Sequence, residues 1–203
     1  MKFATTLRGA FAAFAALSLA ACGINSVPAA EEEAKAKWAD VEAQFQRRSN
    51  LIPNLAEVTR GAGENERSIL TQVTEARARA TSVNVSGADL NDPAKMEQYA
   101  AAQSQLGAGI GRLLASVEAY PTIQSKQNYL ALQSQLEGTE NRIAVAIRDY
   151  NEAVRKYNTT IRTFPDSIGA NIIHGADPMV PYAAVTEGAE TAPTVDMTAN
   201  RST

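Results

Sequence analysis

The stretch from Tyr129 to Phe164 constrains the fold more than any other. Its apolar and aromatic residues fall at Ile143, Ile147, Tyr150, Val154, Tyr157, Ile161 and Phe164, in steps of 4, 3, 4, 3, 4 and 3. An α-helix turns about once every 3.6 residues, so this alternation keeps one side of one helix facing a partner. Tyr129, Leu132 and Leu136 extend that side upstream, and Thr139 and Glu140 stand where it should continue. A helix of about forty residues is roughly 60 Å long and cannot bury such a stripe alone. Other helices must lie along it.

Three further segments carry the same pattern. Trp38, Val41, Phe45, Arg48, Ile52, Leu55 and Thr59 predict a first helix over 31–61. Glu31, Glu32 and Glu33 suit its N-terminus, where acidic groups complement the helix dipole. Pro53 removes an amide hydrogen and predicts a kink, and Gly61-Ala62-Gly63 supplies the stop. Ile69, Val73, Ala76, Ala80 and Val83 predict a second helix over 64–82, with Arg77 and Arg79 off the seam in solvent. After a polar loop over 81–92, Asp92 as N-cap and Pro93 as first helical residue open a third helix over 93–119. Its seam is Met96, Tyr99, Gln103, Leu106, Ile110, Leu113 and Val117. Gly107, Gly109 and Gly111 on its back suit close approach of a neighbour. A phosphate-cradling glycine loop would instead follow a strand, and no strand is predicted. Tyr120-Pro121 breaks the helix, and the fourth starts near Thr122 to Ser125. The expected fold is all-α: an up-and-down antiparallel four-helix bundle over 31–165 with long first and last helices. Residues 166–203 are expected to be extended and largely disordered, with Ile168, Ile172 and Ile173 as candidate docking points.

Residues 1–21 read as a targeting segment. Lys2 and Arg8 form a basic start, and Gly9 to Ser18 is an apolar run, shorter than the ~20 apolar residues that span a bilayer. It ends in Leu19-Ala20-Ala21-Cys22, which resembles the lipobox of bacterial lipoproteins. In those, the chain is cut before the Cys and the Cys takes the lipid. Cys22 is the one cysteine of 203 residues, so the apolar run, the small residues and the lone thiol coincide. Ordinary secretion with a free Cys is the alternative. Residues 22–30 are expected to form a tether. Several acyl chains on Cys22 hold a domain stably, whereas one chain is marginal. Gly23 rather than Asp follows the Cys. By the bacterial sorting rule that this resemblance brings with it, the chain is expected on the periplasmic side, at the outer membrane of a double-membraned cell.

The formal charge of -3 argues against a broad basic surface for nucleic acid. A lone Cys forms no internal disulfide and no Cys-based zinc site. The one His, His174, lies among Gly and Pro residues and reads as a loop residue. No metal and no cofactor are expected.

Several short pieces resemble the signature of the LemA family. They are Gln46-Arg47-Arg48, Leu51-Ile52-Pro53-Asn54-Leu55, Thr74-Glu75-Ala76-Arg77, Tyr120-Pro121, Leu136-Glu137-Gly138-Thr139-Glu140-Asn141-Arg142-Ile143, Tyr150-Asn151, Tyr157-Asn158 and Phe164-Pro165. They keep the family order and span Trp38 to Pro165, and the run through Ile143 is the most specific. The resemblance implies a helical bundle tethered to a bacterial membrane. It implies no established reaction, cofactor or catalytic residue. Some members are linked to membrane organelles and envelope maintenance. Members commonly carry an uncleaved transmembrane helix, and here the lipobox stands in its place.

Two constellations are candidate sites. Arg47, Arg48, Asn54, Glu137, Glu140, Asn141 and Arg142 form a polar cluster, and Arg48 and Glu140 intrude on apolar seams. The plain reading is a structural layer that pairs buried charge and sets helix register. The sharper one is a notch beside the Pro53 kink that receives a partner. An acid–base pair needs a cleft and companions that the cluster lacks. Tyr150, Asn151, Tyr157 and Asn158 repeat at seven. Core tyrosines with hydrogen-bonded hydroxyls are the plain reading, and an exposed binding strip is the alternative. The function expected is that of a lipid-anchored, extracytoplasmic interaction or scaffold module with an envelope protein partner, in an unspecified oligomeric state. An enzyme, or a regulator of a membrane-associated enzyme such as a protease, is the second expectation, and a purely structural envelope protein the third.

Overall fold

The computed structural model describes the backbone of residues 2–58, 64–117 and 127–183, and the side chains of 25–57, 67–117 and 127–183. The fold is all-α, and the described residues contain no strand. Helix α1 is Lys2–Val58, α2 is Glu64–Ser82, α3 is Pro93–Val117 and α4 is Gln127–Thr160. A short helix α5, Asp166–Gly169, leads into one π-helical turn, Ala170–His174.

Helix directions follow from paired residues. On α1 and α4, Glu33 meets Lys156 at 2.6 Å and Arg48 meets Glu140 at 3.2 Å, so the two run antiparallel. On α2 and α3, Ala80 lies beside Gln103 and Val73 beside Gly109, again antiparallel. Along α1 and α3, Trp38 packs on Tyr99 and Arg48 on Gln103, so these run in the same sense.

The core is in two parts, stacked along the bundle. The first joins Trp38, Val41 and Phe45 of α1 to Met96 and Tyr99 of α3 and to Ile143, Tyr150 and Tyr157 of α4. The second joins Ile52 and Leu55 of α1 to Val73, Ala76 and Ala80 of α2, Leu106 to Leu113 of α3, and Leu132 and Leu136 of α4.

The helix starts and stops show how far local signals carry. Asp92 caps α3 as expected: its carboxylate accepts the amides of Ala94 at 2.9 Å and Lys95 at 3.3 Å. Gly109 is where α2 comes close, since a Cβ there would stand 3.3 Å from Val73 Cγ2. Gly107 leaves room for the Arg48 guanidinium, at 3.2 Å from such a Cβ, while Gly111 faces open space. Gly61-Ala62-Gly63, Tyr120-Pro121 and the start of the fourth helix at Thr122 to Ser125 lie outside the described residues.

Four expectations are corrected. Helix α1 does not begin at Glu31. Residues 22–30, expected as a tether, are helical, and Val27 and Ala30 are buried in the first core. Spacing through Val27, Ala30, Ala34 and Trp38 continues the seam upstream, and that burial offsets the amide lost at Pro28. Glu31 and Glu32 instead bind Lys35 at 2.7 and 3.0 Å. On α4 the buried line runs through Ala146 and Ala153, so Ile147 is only half-buried, and Phe164, beyond the helix end, is exposed. The loop after α2 is no mere connector, because Val85 and Leu90 are fully buried and Trp38 Nε1 donates to Val85 O at 2.8 Å. Residues 166–183 are not loose: 166–174 are helical, 177–182 run extended along α4, and Met179 and Tyr182 dock in the first core, while Ile168, Ile172 and Ile173 are exposed. Residues 184–203 lie outside the described part.

Truncating a fully buried seam residue is expected to cost more than truncating one at its edge. Leu106→Ala is expected to lower stability by about 2–5 kcal/mol, and half-buried Ile147→Ala by clearly less. Urea midpoints check the ranking, and equal losses would place the α4 seam one residue away from Ala146.

Candidate functional site

Between the two apolar cores lies one polar layer. Arg48, Ser49, Gln103 and Thr139 are the buried polar side chains of the described residues, and all four fall at that level. Each sits where its helix passes from one core to the other: 48 between Phe45 and Ile52, 103 between Tyr99 and Leu106, 139 between Leu136 and Ile143.

Arg48 is the centre. Its Nη2 donates to Gln103 O at 2.8 Å and to Gln103 Oε1 at 2.9 Å, and its Nη1 donates to Glu140 Oε1 at 3.2 Å. The guanidinium lies over the Phe45 ring, 5.0 Å from its centroid, where the π-face attracts a cation. Its Nε is buried without a protein partner among the described residues. The planar fork lets one side chain serve a carboxylate, an amide oxygen and a backbone carbonyl on two helices at once. Around it, Gln103 Nε2 donates to Ala80 O at 3.4 Å and Arg77 Nε to Ser49 O at 2.9 Å, which ties α2 to α3 and α1. Arg77, expected in solvent, is half-buried here.

The pair is lopsided. The Arg48 side chain is 5% exposed and that of Glu140 is 51% exposed. Glu140 reaches in from the rim, so most of the satisfaction of the buried charge comes from Gln103. The other members of the predicted cluster do not gather: Arg47, Asn54, Glu137, Asn141 and Arg142 are exposed. Arg142 bonds Thr139 Oγ1 at 3.1 Å and Glu137 accepts from Gln133 at 3.2 Å, both within α4. Glu137, Glu140 and Asn141 do line one open groove between α3 and α4, of ≈ 530 Å³, floored by Ile110, Leu114 and Leu136. Gln103 lay on a helix seam where an amide has no apolar reason to be, and that was the signal available for it.

The tyrosine and asparagine repeat is the second constellation, and it binds the chain's own C-terminal segment. Asn151 Oδ1 accepts the Tyr182 amide at 2.8 Å, and its Nδ2 donates to Tyr182 O at 3.0 Å. Asn158 does the same for Met179, at 2.9 and 2.8 Å. Tyr150 donates to Val180 O at 2.8 Å and Tyr157 to Asp177 O at 3.1 Å. The spacing has a simple cause. Seven helical residues rise about 10 Å, and three residues of extended chain cover about the same distance. Asn151 and Asn158 therefore match Tyr182 and Met179, and the tyrosines match Val180 and Asp177. Each amide offers one donor and one acceptor, as a strand neighbour would.

Tyr182 closes an aromatic cluster. Its ring lies 5.8 Å from Phe45 and 6.5 Å from Trp38, and Trp38 packs on Tyr150 at 5.1 Å and Tyr99 at 5.3 Å. Burial pushes the Tyr182 hydroxyl up to about 12, with Arg48 working against that shift. Burial likewise raises Tyr99 and Tyr150 far above the ordinary phenol range, and Tyr157 in the same direction. These hydroxyls are neutral donors at neutral pH. Among the described residues no group of three or more His, Cys, Asp or Glu gathers to hold a metal ion, and no helix is long and apolar enough to cross a membrane.

An antiparallel helical bundle split by an arginine-centred polar layer, with a strap read by paired Tyr-Asn steps, defines a packed helical module. Residues 37–197 match the LemA family, and the chain belongs to it. It is similar to the magnetosome proteins MamQ 2 and MamQ 1 of Paramagnetospirillum magneticum, each 31% identical over 157 residues, which cover 70% of this chain and 58% of the relative. It is also similar to Protein LemA of Metamycoplasma hominis, 24% identical over 124 residues, covering 61% of this chain and 52% of that protein. The chain thus spans little more than half the length of these relatives.

Two outcomes follow from the geometry. Arg48→Met leaves Gln103 Oε1 without its donor, at about 1–3 kcal/mol if it stays buried, while Gln103 O, inside α3, keeps its helical amide. Glu140→Gln, at a half-exposed position, is expected to change stability by no more than about 1 kcal/mol. Chemical denaturation of both variants checks this asymmetry. Asn158→Ala removes two hydrogen bonds to Met179, and at about 0.5–1.5 kcal/mol each it is expected to loosen the strap without unfolding the bundle. Hydrogen exchange at the Met179 amide should then rise while amides of α3 stay protected.

Proposed function

We propose that this chain is a helical interaction or scaffold module of the bacterial cell envelope, without a reaction of its own, held to a membrane by lipid on Cys22 after loss of residues 1–21. One observation carries the reading. The side chains best suited to chemistry are spent inside the molecule: Arg48 on Gln103 and Glu140, and Tyr150, Asn151, Tyr157 and Asn158 on residues 177–182. These contacts hold the helices, the polar layer and the strap together as one packed body. The relatives named as magnetosome proteins support a membrane setting. The lipobox resemblance at Leu19 to Cys22 supports the anchor, the periplasmic side and, after Gly23, the outer membrane. An envelope protein is the partner this reading implies, and the α3–α4 groove beside Glu140 is the surface offered to it.

Cys22→Ser is expected to abolish lipidation and release the protein from membranes. Intact mass of the membrane-extracted protein decides: acyl mass and loss of residues 1–21 support the reading. Retention of those residues with no acyl mass overturns the lipid anchor.

A further inference from the structure

The turn after α4 exposes an unusual set of side chains. Phe164 is 71% exposed, Ile168 53%, Ile172 79% and Ile173 58%. They are not scattered. Ile168 N donates to Pro165 O, Ser167 N donates to Thr163 O, and the turn continues as α5 and the π-helical turn. Ile172 and Ile173 follow Ile168 by four and five residues across α5 and the π-helical turn, which brings the three isoleucines to one side, and Phe164 is exposed in the turn just before Pro165. The opposite face is fastened down: Gly169 is buried, and Ala170 packs in the first core. Large apolar residues gathered on one exposed turn mark a surface that meets something apolar.

Position says what that is. Ser26 Oγ donates to Asp166 Oδ1 at 2.6 Å, so this turn packs on α1 at the level of Ser26. Cys22 lies four residues upstream on the same helix, about 6 Å along its axis. Because α4 runs antiparallel to α1, its far end lies at the opposite end of the bundle. The apolar turn thus sits close to Cys22, the residue proposed above to carry the lipid. Arg162, two residues before Phe164, is exposed, and a guanidinium beside an apolar patch suits a surface that carries phosphate groups.

We propose that Phe164, Ile168, Ile172 and Ile173 rest in the interfacial layer of the bilayer that holds the N-terminus. The module thus touches its membrane at two places, the anchor and this turn. Two contacts on one rigid body fix the tilt of the bundle, where a single anchor leaves it free to swing. The inference rests on the membrane anchor proposed above.

Lipid quenching of tryptophan fluorescence tests it. Full-length protein extracted from membranes is reconstituted into phosphatidylethanolamine–phosphatidylglycerol vesicles, with or without bromine on the upper acyl chain. Trp38 is buried and supplies a constant background. Ile172→Trp is expected to lose most of its added emission in brominated vesicles. Leu130→Trp, exposed at the other end of α4 and about 45 Å from its C-terminus, is expected to lose none. With Phe164→Trp as the probe, adding Ile172→Glu and Ile173→Glu should abolish the quenching at an unchanged melting temperature. Protein that floats with vesicles but keeps full Ile172→Trp emission overturns the lipid contact and leaves the anchor standing. Protein that fails to float overturns both. An indole shielded from aqueous iodide yet unquenched by bromine places a second copy or residues 184–203 on the patch, and also overturns the proposal. Equal quenching at both ends means a bundle lying flat and overturns it too.

Discussion

The structure depends on how one buried cation is satisfied. Arg48 stands between two apolar cores, and a charge there is tolerable only if its guanidinium head is paired. Both Nη groups are paired, although Nε finds no partner among the described residues. Gln103 meets it with two oxygens, Phe45 with its ring face, and Glu140 from the rim. Those partners come from α1, α3 and α4. Sliding α3 or α4 past α1 by one turn would bury the guanidinium against hydrocarbon, so the layer selects the register that the heptad-like seams alone would leave degenerate. Gly107 belongs to the same solution, since a side chain there would press on the guanidinium at 3.2 Å. The gain is more in uniqueness of packing than in net stability.

The strap over residues 177–182 solves a different problem. α1 and α4 are long and paired, and α2 and α3 do not reach along their full length. The aromatic cluster of Trp38, Phe45 and Tyr150 would stand open at that end. Tyr182 and Met179 close it, and Val180 N adds a bond to Leu90 O at 2.8 Å, so strap and loop brace each other. The recognition is mostly of backbone, by amide and phenol groups at matched spacing. A segment containing Pro178 and Pro181 suits it, because extended chain is what these prolines favour.

Order at the N-terminal end of α1 joins these features to the proposed membrane setting. Val27 and Ala30 are packed, so little slack remains between Cys22 and the body of the protein. A short rigid lead from a lipid-bearing residue holds the near end of the bundle close to the bilayer, and the apolar turn at that end becomes a contact instead of a liability.

Much was legible from the chain alone. Helical spacing along α4, the Asp92-Pro93 start of α3 and the intrusion of Arg48 and Glu140 on apolar seams are local patterns, and helices obey local patterns. The two candidate clusters divided differently. Arg48 and Glu140 did meet, but Arg47, Asn54, Glu137, Asn141 and Arg142 remained on the surface, because facing a partner helix depends on rotation and register that no single segment encodes. Gln103, Arg77 and Ser49 entered the layer for the same reason. The strap was missed because its order is entirely borrowed: residues 177–182 have no periodicity of their own and are held by side chains some 20 to 31 positions earlier. Sequence by itself determined the four main helical segments and, to within about one residue, which side of each is apolar, since both follow from 3.6-residue geometry. Only tertiary structure decided which polar groups are buried and what the tyrosines and asparagines hold, since those depend on distances between residues far apart in the chain.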